Sequence, residues 1–235
     1  MTTSNILRSN LENKTTACPS WKRALDITVS LLALTFLSPI ILLIVVGIKV
    51  VSDGPILFRQ KRIGYKGSSF LLLKFRSMKV NADTSLHQDH STSFIKEGTP
   101  MTKLDKKGDS RLIAGAWLLR ASGFDELPQL INVLRGDMSI VGPRPCTNSE
   151  FAEYTEEQKA RFNAIPGLTG LWQVSGKNKT TFPEMIRLDT QYCAEKTLWM
   201  DLKIMLKTPL VLISQIVEAR TSETSSQAAS QLVVG

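Results

Sequence analysis

The chain has 235 residues, a formal net charge of +8 and a sequence pI of about 9.5, so its partner could be nucleic acid, an anionic membrane surface or a phosphorylated substrate. Aromatic residues make up only 7% of the chain and do not interleave with basic ones, which argues against nucleic acid. Cys18, Cys146 and Cys193 are scattered without a C-x-x-C pair, which indicates a reducing compartment rather than a disulfide framework.

Residues 1–20 are predicted to be a flexible N-terminus, and an uncharged apolar run follows at residues 27–48. The run is long enough to cross a bilayer and too long for the apolar core of a secretory signal. Basic residues flank it on both sides, whereas a simple span has its excess of Lys and Arg on one side. Ser38 and Pro39 interrupt it in the middle, so a hairpin that returns to the same face is one interpretation. An ordinary kinked spanning helix is the other.

Residues at the start of this run are predicted to lie at the membrane edge. Trp21, Lys22 and Arg23 are of the types that anchor there. Asp26 is costly at such a place unless it is paired. Arg23 is the nearest candidate partner, and another helix is the alternative source of one.

Beyond the run, residues 56–58 and 69–75 are predicted to form two short strands joined by a glycine-containing loop. Residues 81–109 are polar and predict a loop. His87 and His90 lie in it without further nitrogen or sulfur ligands nearby, so no zinc site is expected.

The second half of the chain has mainly helical patterns. A helical pattern begins near Leu112, and Pro128 suits the first turn of another helix that Gly136 ends. Residues 150–165 predict a mostly solvated helix, residues 166–176 an extended segment, and residues 182–194 a helix. Residues 198–217 are amphipathic, interrupted by Pro209, and fit either the membrane interface or a core-packing helix. Residues 218–235 predict a disordered tail.

Asp125 and Glu126 stand directly before the helix that begins near Pro128. Acids at a helix N-terminus are common for structural reasons alone. The functional interpretation is that one carboxylate attacks phosphorus while its neighbour binds a metal. Mg²⁺ suits such a place, because it prefers one or two carboxylates together with substrate phosphates.

Arg144 stands between two prolines in the sequence Gly142-Pro143-Arg144-Pro145. A guanidinium held by a stiff backbone can bind a phosphate through two hydrogen bonds with little loss of entropy. The alternative is an ordinary arginine in a surface loop. Arg120 precedes the acid pair closely enough to face the same site.

The order of short motifs from about residue 21 to residue 216 resembles the bacterial sugar transferase family, the monotopic polyprenyl-phosphate phosphoglycosyl transferases. The motifs are Lys22-Arg23 with Asp26, Ser38-Pro39, Gly54-Pro55, Phe58-Arg59-Gln60, Arg62-Ile63-Gly64, Lys74-Phe75-Arg76-Ser77-Met78, Asp125-Glu126-Leu127-Pro128-Gln129, Arg135-Gly136-Asp137-Met138-Ser139, Gly142-Pro143-Arg144-Pro145 and Pro166-Gly167-Leu168-Thr169-Gly170.

The resemblance implies an α/β fold, of the α+β kind and mostly helical. It implies a re-entrant membrane helix hairpin at residues 21–52 and a cytosolic catalytic domain with interfacial amphipathic helices at residues 53–217. The protein would then lie on the cytoplasmic face of the bacterial inner membrane. Many larger relatives carry extra membrane helices and a further domain before this core. The chain is expected to be the minimal catalytic form, which lacks them.

The resemblance also implies a reaction that initiates surface polysaccharide synthesis. A sugar 1-phosphate passes from a UDP-sugar to undecaprenyl phosphate through a covalent aspartyl phosphosugar intermediate, UMP is released, and Mg²⁺ is required. Asp125 would be the nucleophile and Glu126 the metal ligand. The residues expected to bind phosphate or substrate are Arg120, Arg144, Lys74, Lys177 and Asp189.

The sequence departs from the family pattern at two positions. Lys177 stands where small members often carry arginine, so a single ammonium replaces a forked guanidinium. Phe124 precedes the acid pair in place of leucine. The alternative function is a non-catalytic membrane-anchored adaptor that binds anionic lipid or an acidic partner. The identity of the sugar is open, as is the oligomeric state, for which a homo-oligomer is one option.

Overall fold

The computed structural model describes residues 18–80, 82, 95, 111–176 and 180–214. The predictions for the N-terminal segment, for most of the polar loop with its two histidines, for Lys177 and for the C-terminal tail lie outside the described residues.

The apolar run forms two helices that meet at a sharp bend, α1 (Ser20–Phe36) and α2 (Ser38–Val51). Their axes are bent by 63° at the break. Pro39 lies in the first turn of α2, where its missing N–H breaks no bond within the helix. No single helix among the described residues is long and apolar enough to cross a membrane, whereas this bent pair is, by length and composition only. The predicted interruption at Ser38 and Pro39 is therefore confirmed.

The surface of the helix pair is apolar over most of its length. Phe36 at the break is 77% exposed, and Leu43 and Val50 on α2 are 72% and 79% exposed. Near its N-terminal end, α1 buries three polar side chains at a spacing of four residues, namely Lys22, Asp26 and Ser30. That spacing places them on one helix face, which is the face that packs on the rest of the fold.

An antiparallel hairpin follows, made of β1 (Leu57–Ile63) and β2 (Ser69–Phe75), with Leu57 opposite Phe75 and Ile63 opposite Ser69. β1 continues beyond the predicted end at residue 58 through Arg59, Gln60, Lys61 and Arg62. The prediction missed this part because these polar residues lack an apolar alternation.

The centre of the chain forms α3 (Ala116–Ala121), a 3₁₀ turn (Phe124–Glu126), α4 (Gln129–Arg135) and β3 (Ser139–Val141). α4 ends at Gly136, whose φ of 77° is in the left-handed region that favours glycine, as the sequence predicts. β3 pairs in parallel with β4 (Gly167–Thr169).

The prediction of one solvated helix at residues 150–165 is wrong. The structure has α5 (Asn148–Ala152), a turn, and a 3₁₀ helix at Gln158–Asn163 that buries Arg161 and Phe162. Reciprocal side-chain caps mark the two starts, Thr147 with Glu150 before α5 and Thr155 with Gln158 before the 3₁₀ helix. Each pair has the S/T-x-x-E/Q spacing of a capping box, so the second marks a new start inside the predicted helix.

The C-terminal part forms α6 (Leu171–Val174), α7 (Phe182–Glu195) and α8 at residues 198–214. α6 occupies the end of the segment that was predicted to be extended. α8 runs through Pro209 without a break, so the predicted interruption is not observed. Tyr192 of α7, Val133 of α4 and Val141 of β3 belong to one buried apolar cluster. The described part is thus a mixed helix and strand fold, as the sequence predicts.

Candidate active site

The acid pair lies on the 3₁₀ turn that connects α3 to α4. Gly123 enters this turn with a φ of 74°, a conformation that L side chains rarely adopt. Asp125 is 6% exposed, whereas the side chain of Glu126 is 38% exposed. Successive residues of a 3₁₀ helix point about 120° apart, which is how neighbouring acids come to have such different surroundings.

Lys74 reaches the acid pair from β2. Its Nζ lies 2.7 Å from Glu126 Oε1, and both side chains are partly exposed. Arg120, at the end of α3, donates from Nη1 to Ser77 Oγ at 3.0 Å, just beyond β2. The structure therefore places both predicted cations beside the hairpin strand that borders the acid turn.

Arg144 lies between β3 and α5, and its side chain turns towards a buried carboxylate. Its Nη1 is 3.4 Å from Glu150 Oε1, and Glu150 is 4% exposed. Arg62 of β1 lies on the other side of Glu150, with Nη1 3.6 Å from Oε2. Burial alone would raise the pKa of Glu150, but Arg144 and Arg62 together hold this pKa below its ordinary value, so the carboxylate is ionised.

Sequence reasoning missed the roles of both Glu150 and Arg62 in this cluster. The T-x-x-E capping-box spacing is a signal that places Glu150 in the first turn of a helix just after Arg144. Arg62 belongs to the Arg62-Ile63-Gly64 motif, but no local signal places it beside Glu150, because the pairing of Ile63 with Cys146 that brings it here is a long-range contact.

Asp189 lies beneath the backbone of Arg144, and it is only 1% exposed. Arg161 donates from Nη2 both to the Asp189 carboxylate and, at 2.8 Å, to the backbone carbonyl of Arg144. The backbone amide of Arg144 in turn donates to Asp189. The ion pair thus holds both sides of the Arg144 backbone, and a direct contact between Asp189 and substrate stays a prediction.

The glycines on either side of this segment are required by a close backbone approach. A Cβ on Gly167 would lie 2.0 Å from Gly142 N, and one on Gly142 would lie 2.2 Å from Ile165 O. Gly142 N donates to Thr169 O at 2.8 Å, and Gly167 N donates to Pro143 O at 2.9 Å. These contacts fix the position of the Gly-Pro-Arg-Pro segment against β4.

Lys22 and Arg23, which the sequence predicts at the membrane edge, both bind groups of the protein. Lys22 is buried, and its Nζ donates to Asp201 Oδ2 at 2.6 Å and to Val141 O at 2.9 Å. Arg23 binds the carbonyl groups at the C-terminal end of α4. Asp26 accepts from Ser139 Oγ and Ile140 N, rather than from Arg23. The physical reason is that β3 and α8 supply partners that the local sequence does not reveal.

A magnesium site is compatible with these residues. Within the described part of the chain, no group of three or more His, Cys, Asp or Glu side chains is arranged to hold a metal. Mg²⁺ needs fewer protein ligands, since one or two carboxylates with substrate phosphates complete its shell. Glu126 is the partly exposed carboxylate beside Lys74, so it fits such a shared shell.

Two adjacent carboxylates, one buried and the other paired with Lys74, suit a site for a phosphate-bearing substrate and a metal ion. The family model for bacterial sugar transferases matches residues 18–215. The chain therefore belongs to the bacterial sugar transferase family.

Three relatives illustrate the range of lengths in this family. Exopolysaccharide production protein ExoY of Sinorhizobium fredii is 38% identical over 195 residues, which cover 83% of this chain and 86% of the relative. The UDP-glucose:undecaprenyl-phosphate glucose-1-phosphate transferase of Caulobacter vibrioides is 40% identical over 195 residues, 80% of this chain and 67% of the relative. The undecaprenyl-phosphate galactose phosphotransferase of Salmonella typhimurium is 38% identical over 193 residues, 82% of this chain but only 40% of the relative.

Proposed function

We propose that the protein transfers a sugar 1-phosphate from a UDP-sugar to undecaprenyl phosphate and releases UMP, as the first step of a surface polysaccharide pathway. The observation that carries this proposal is the Asp125–Glu126 turn beside Lys74, in a chain whose relatives are named for sugar transfer to this lipid. The names of those two relatives specify galactose and glucose-1-phosphate, and the sugar used here is for the assay to determine.

Asp125 is the proposed nucleophile. Its carboxylate oxygen forms a bond to the phosphorus that bears the sugar, the bond from that phosphorus to the UMP oxygen breaks, and UMP leaves with the electron pair. The phosphate oxygen of the lipid then attacks the same phosphorus and releases Asp125. Each displacement is a phosphoryl transfer, in which positioning and charge neutralisation provide most of the catalysis.

The cations in the site support this chemistry. Lys74 offsets the negative charge of Glu126, directly beside the proposed nucleophile. Arg144 and Arg120 are the candidate phosphate ligands. Glu126 would hold Mg²⁺, which when bound would neutralise the diphosphate and the leaving UMP.

The helix pair is the proposed membrane anchor, and it enters and leaves on one face. Lys22 and Asp26 near the start of α1 bind β3 and α8. Arg76, directly after β2, binds the carbonyl groups of Ser52 and Asp53 at the end of α2. Because both ends of the pair contact the same body of the fold, a hairpin satisfies these contacts and a straight span does not. The proposed location is the cytoplasmic face of the bacterial inner membrane.

The geometry of the pair also limits its depth. α1 and α2 have 17 and 14 residues. If both helices make the same angle with the membrane surface, a bend of 63° inclines each by about half of that angle. The break between them then lies only about 11–13 Å below the level of the outer helix ends. A bilayer hydrocarbon core is ~30 Å thick, so such a hairpin would penetrate less than half of it.

Intact-protein mass after incubation with a panel of UDP-sugars, without lipid acceptor, tests the reaction. The wild-type protein should gain one sugar phosphate with its correct donor, and Asp125→Asn should gain none, because an amide is a poor nucleophile. Asp53→Asn is the matched control, since Asp53 is exposed and lies at the end of α2. UMP formation only with both substrates, with no adduct under rapid quench, would instead show direct attack by the lipid phosphate. An adaptor without catalytic activity would release no UMP from any donor.

A further inference from the structure

Arg62 is held in an unusual way for a charged side chain. Gln60 Oε1 accepts from its Nε at 3.1 Å and from its Nη2 at 2.8 Å. Its Nη1 is buried and has no hydrogen-bond partner among the described residues. Its ion-pair partner is Glu150, whose Oε2 is 3.6 Å away. A buried donor left without a partner is costly, so the unused hydrogen-bonding capacity of Nη1 needs a reason.

Glu150 is shared between two guanidinium groups and tightly bound by neither. Its distances to Arg144 and Arg62 are 3.4 Å and 3.6 Å, longer than the 2.7–2.9 Å typical of charge-assisted bonds. Burial and the neighbouring Arg144 lower the pKa of Arg62 to about 10, which still leaves it charged at neutral pH. Two positive charges therefore share one carboxylate, and Arg62 forms an ion pair with it but no hydrogen bond.

The arrangement explains how Arg144 could leave Glu150 for a substrate. If Arg144 turned to a phosphate without compensation, a buried carboxylate would lose its main counter-charge, which is strongly unfavourable. Arg62 is already oriented by Gln60, with an unused donor 3.6 Å from that carboxylate. Glu150 could then move by a fraction of an ångström towards Arg62 as Arg144 departs.

We propose that Arg62 is a positioning residue that takes over Glu150 when Arg144 binds a substrate phosphate. The phosphate belongs either to the nucleotide donor or to the lipid acceptor. The identity of these ligands rests on the proposed function, whereas the exchange of Glu150 between two arginines rests on the geometry alone.

UDP binding to the detergent-solubilised full chain, measured by isothermal titration calorimetry, tests the exchange. Arg62→Gln should weaken UDP binding roughly five- to a hundredfold, the usual size of a coupling between two linked events. Uridine binding should be unchanged, since uridine has no phosphate. Lys61→Gln is the matched control, because it removes one positive charge from the adjacent, exposed position on the other face of β1. Arg62→Lys keeps the charge and should restore part of the affinity.

A double-mutant cycle with Glu150→Gln separates positioning from direct contact. Glutamine preserves the capping box, so α5 keeps its start. With no carboxylate to compensate, Arg62→Gln should have almost no further effect on UDP affinity. A full Arg62→Gln penalty in the Glu150→Gln background would overturn the proposal, because Arg62 would then be touching the phosphate itself. An unchanged UDP affinity in the single variant, with unchanged lipid-phosphate affinity, would also overturn it.

The same variants identify the source of the phosphate and guard against misfolding. If Arg144 binds the phosphate of the lipid acceptor, Arg62→Gln should weaken the binding of a short-chain polyprenyl phosphate and leave UDP binding unchanged. Melting temperature is followed in parallel, and Arg62→Lys replaces Arg62→Gln if the latter does not fold. If the wild-type protein binds neither ligand, the proposed function and this inference fail together. If the wild-type protein binds a ligand and both Arg62→Gln and Arg62→Lys bind it equally well, this inference is wrong and the proposed function is unaffected.

Discussion

The side chain of Arg144 is presented by a backbone that the fold holds on both sides. Its amide donates to Asp189 and its carbonyl accepts from Arg161, while prolines precede and follow it. Burial would lower the pKa of Arg161, but Asp189 raises it above its ordinary value, so this support stays charged. A guanidinium presented in this way loses little entropy when it binds a planar pair of phosphate oxygens.

Arg144→Lys should lose activity although the charge is retained, because an ammonium cannot reproduce the fork of a guanidinium. Loss of one directed, charge-assisted contact is worth about 1.5–3 kcal/mol, which corresponds to roughly a ten- to hundredfold fall in kcat/KM for UMP release. Arg135→Lys, in the exposed last turn of α4, should leave the rate unchanged. Wild-type kcat/KM in Arg144→Lys would exclude a bidentate role.

Glu150 should contribute an acid-dependent part of the stability. Its pKa in the folded protein lies below its ordinary value of 4.5, so the unfolded chain binds a proton at a higher pH than the folded one. The contribution is therefore complete above about pH 4.5 and is lost as pH falls through the folded pKa. Melting temperatures between pH 7 and pH 3 should fall less steeply for Glu150→Gln than for wild type. Parallel curves for the two proteins would contradict this assignment.

At the scale of elements, the base of α1 is connected to α8 by a buried ion pair. Lys22 and Asp201 are 3% and 0% exposed, and Tyr192 OH lies 2.8 Å from Asp201 Oδ1. The same lysine binds the last carbonyl of β3, directly before Gly142. α1, α8 and the strand that leads to Arg144 therefore share one buried polar contact.

Asp201→Asn should destabilise the fold by about 3–5 kcal/mol, because Lys22 would remain buried without its counter-charge. Thermal unfolding in detergent measures the loss. Glu156→Gln is the control. The Glu156 side chain is 89% exposed, so its ion pair with Lys159 contributes at most about 1 kcal/mol.

A second variant checks the cause of the loss. Lys22→Met combined with Asp201→Leu should be less destabilised than Asp201→Asn alone, because no unpaired charge remains. A double variant that unfolds as readily as the single one would indicate a steric cause instead.

Elements that depend on local signals were predictable from the sequence, and those that depend on distant partners were not. The break at Pro39, the start of α4 near Pro128 and its end at Gly136 follow from proline and glycine geometry. The helix predicted over residues 150–165 failed, although the T-x-x-Q signal at Thr155 was visible in the sequence. The burial of Arg161 had no local signal at all.

The candidate site divides in the same way. Motif order located Asp125, Glu126, Lys74 and Arg144, and the structure places Lys74 against Glu126. The roles of these residues stay predictions. The shared carboxylate of Glu150 and the clamp on the Arg144 backbone come from strand pairing and packing between segments far apart in sequence, which periodicity cannot reveal.

At the scale of the whole molecule, the topology of the helix pair can be tested in intact cells. Single cysteines at residues 10 and 68, in a background without the three native cysteines, should both resist a membrane-impermeant thiol reagent, because both ends of the pair are expected on the cytoplasmic side. Lysis should make both reactive, which controls for burial of the new thiols. Labelling of one cysteine but not the other in intact cells would establish a spanning arrangement.

Pro39→Ala extends this test to the cause of the bend. Proline ends the hydrogen-bonded run at the break, where Ser38 Oγ donates to Thr35 O at 2.8 Å. Alanine permits a continuous helix over α1 and α2, which would be long enough to span. The continuous form must break the contacts of one end with the rest of the fold, either at Lys22 and Asp26 or at Arg76. We therefore expect a minority of Pro39→Ala molecules to label at residue 10 only, with lower stability in detergent. Complete protection of both cysteines in this variant would show that the end contacts alone, rather than the proline, determine the hairpin.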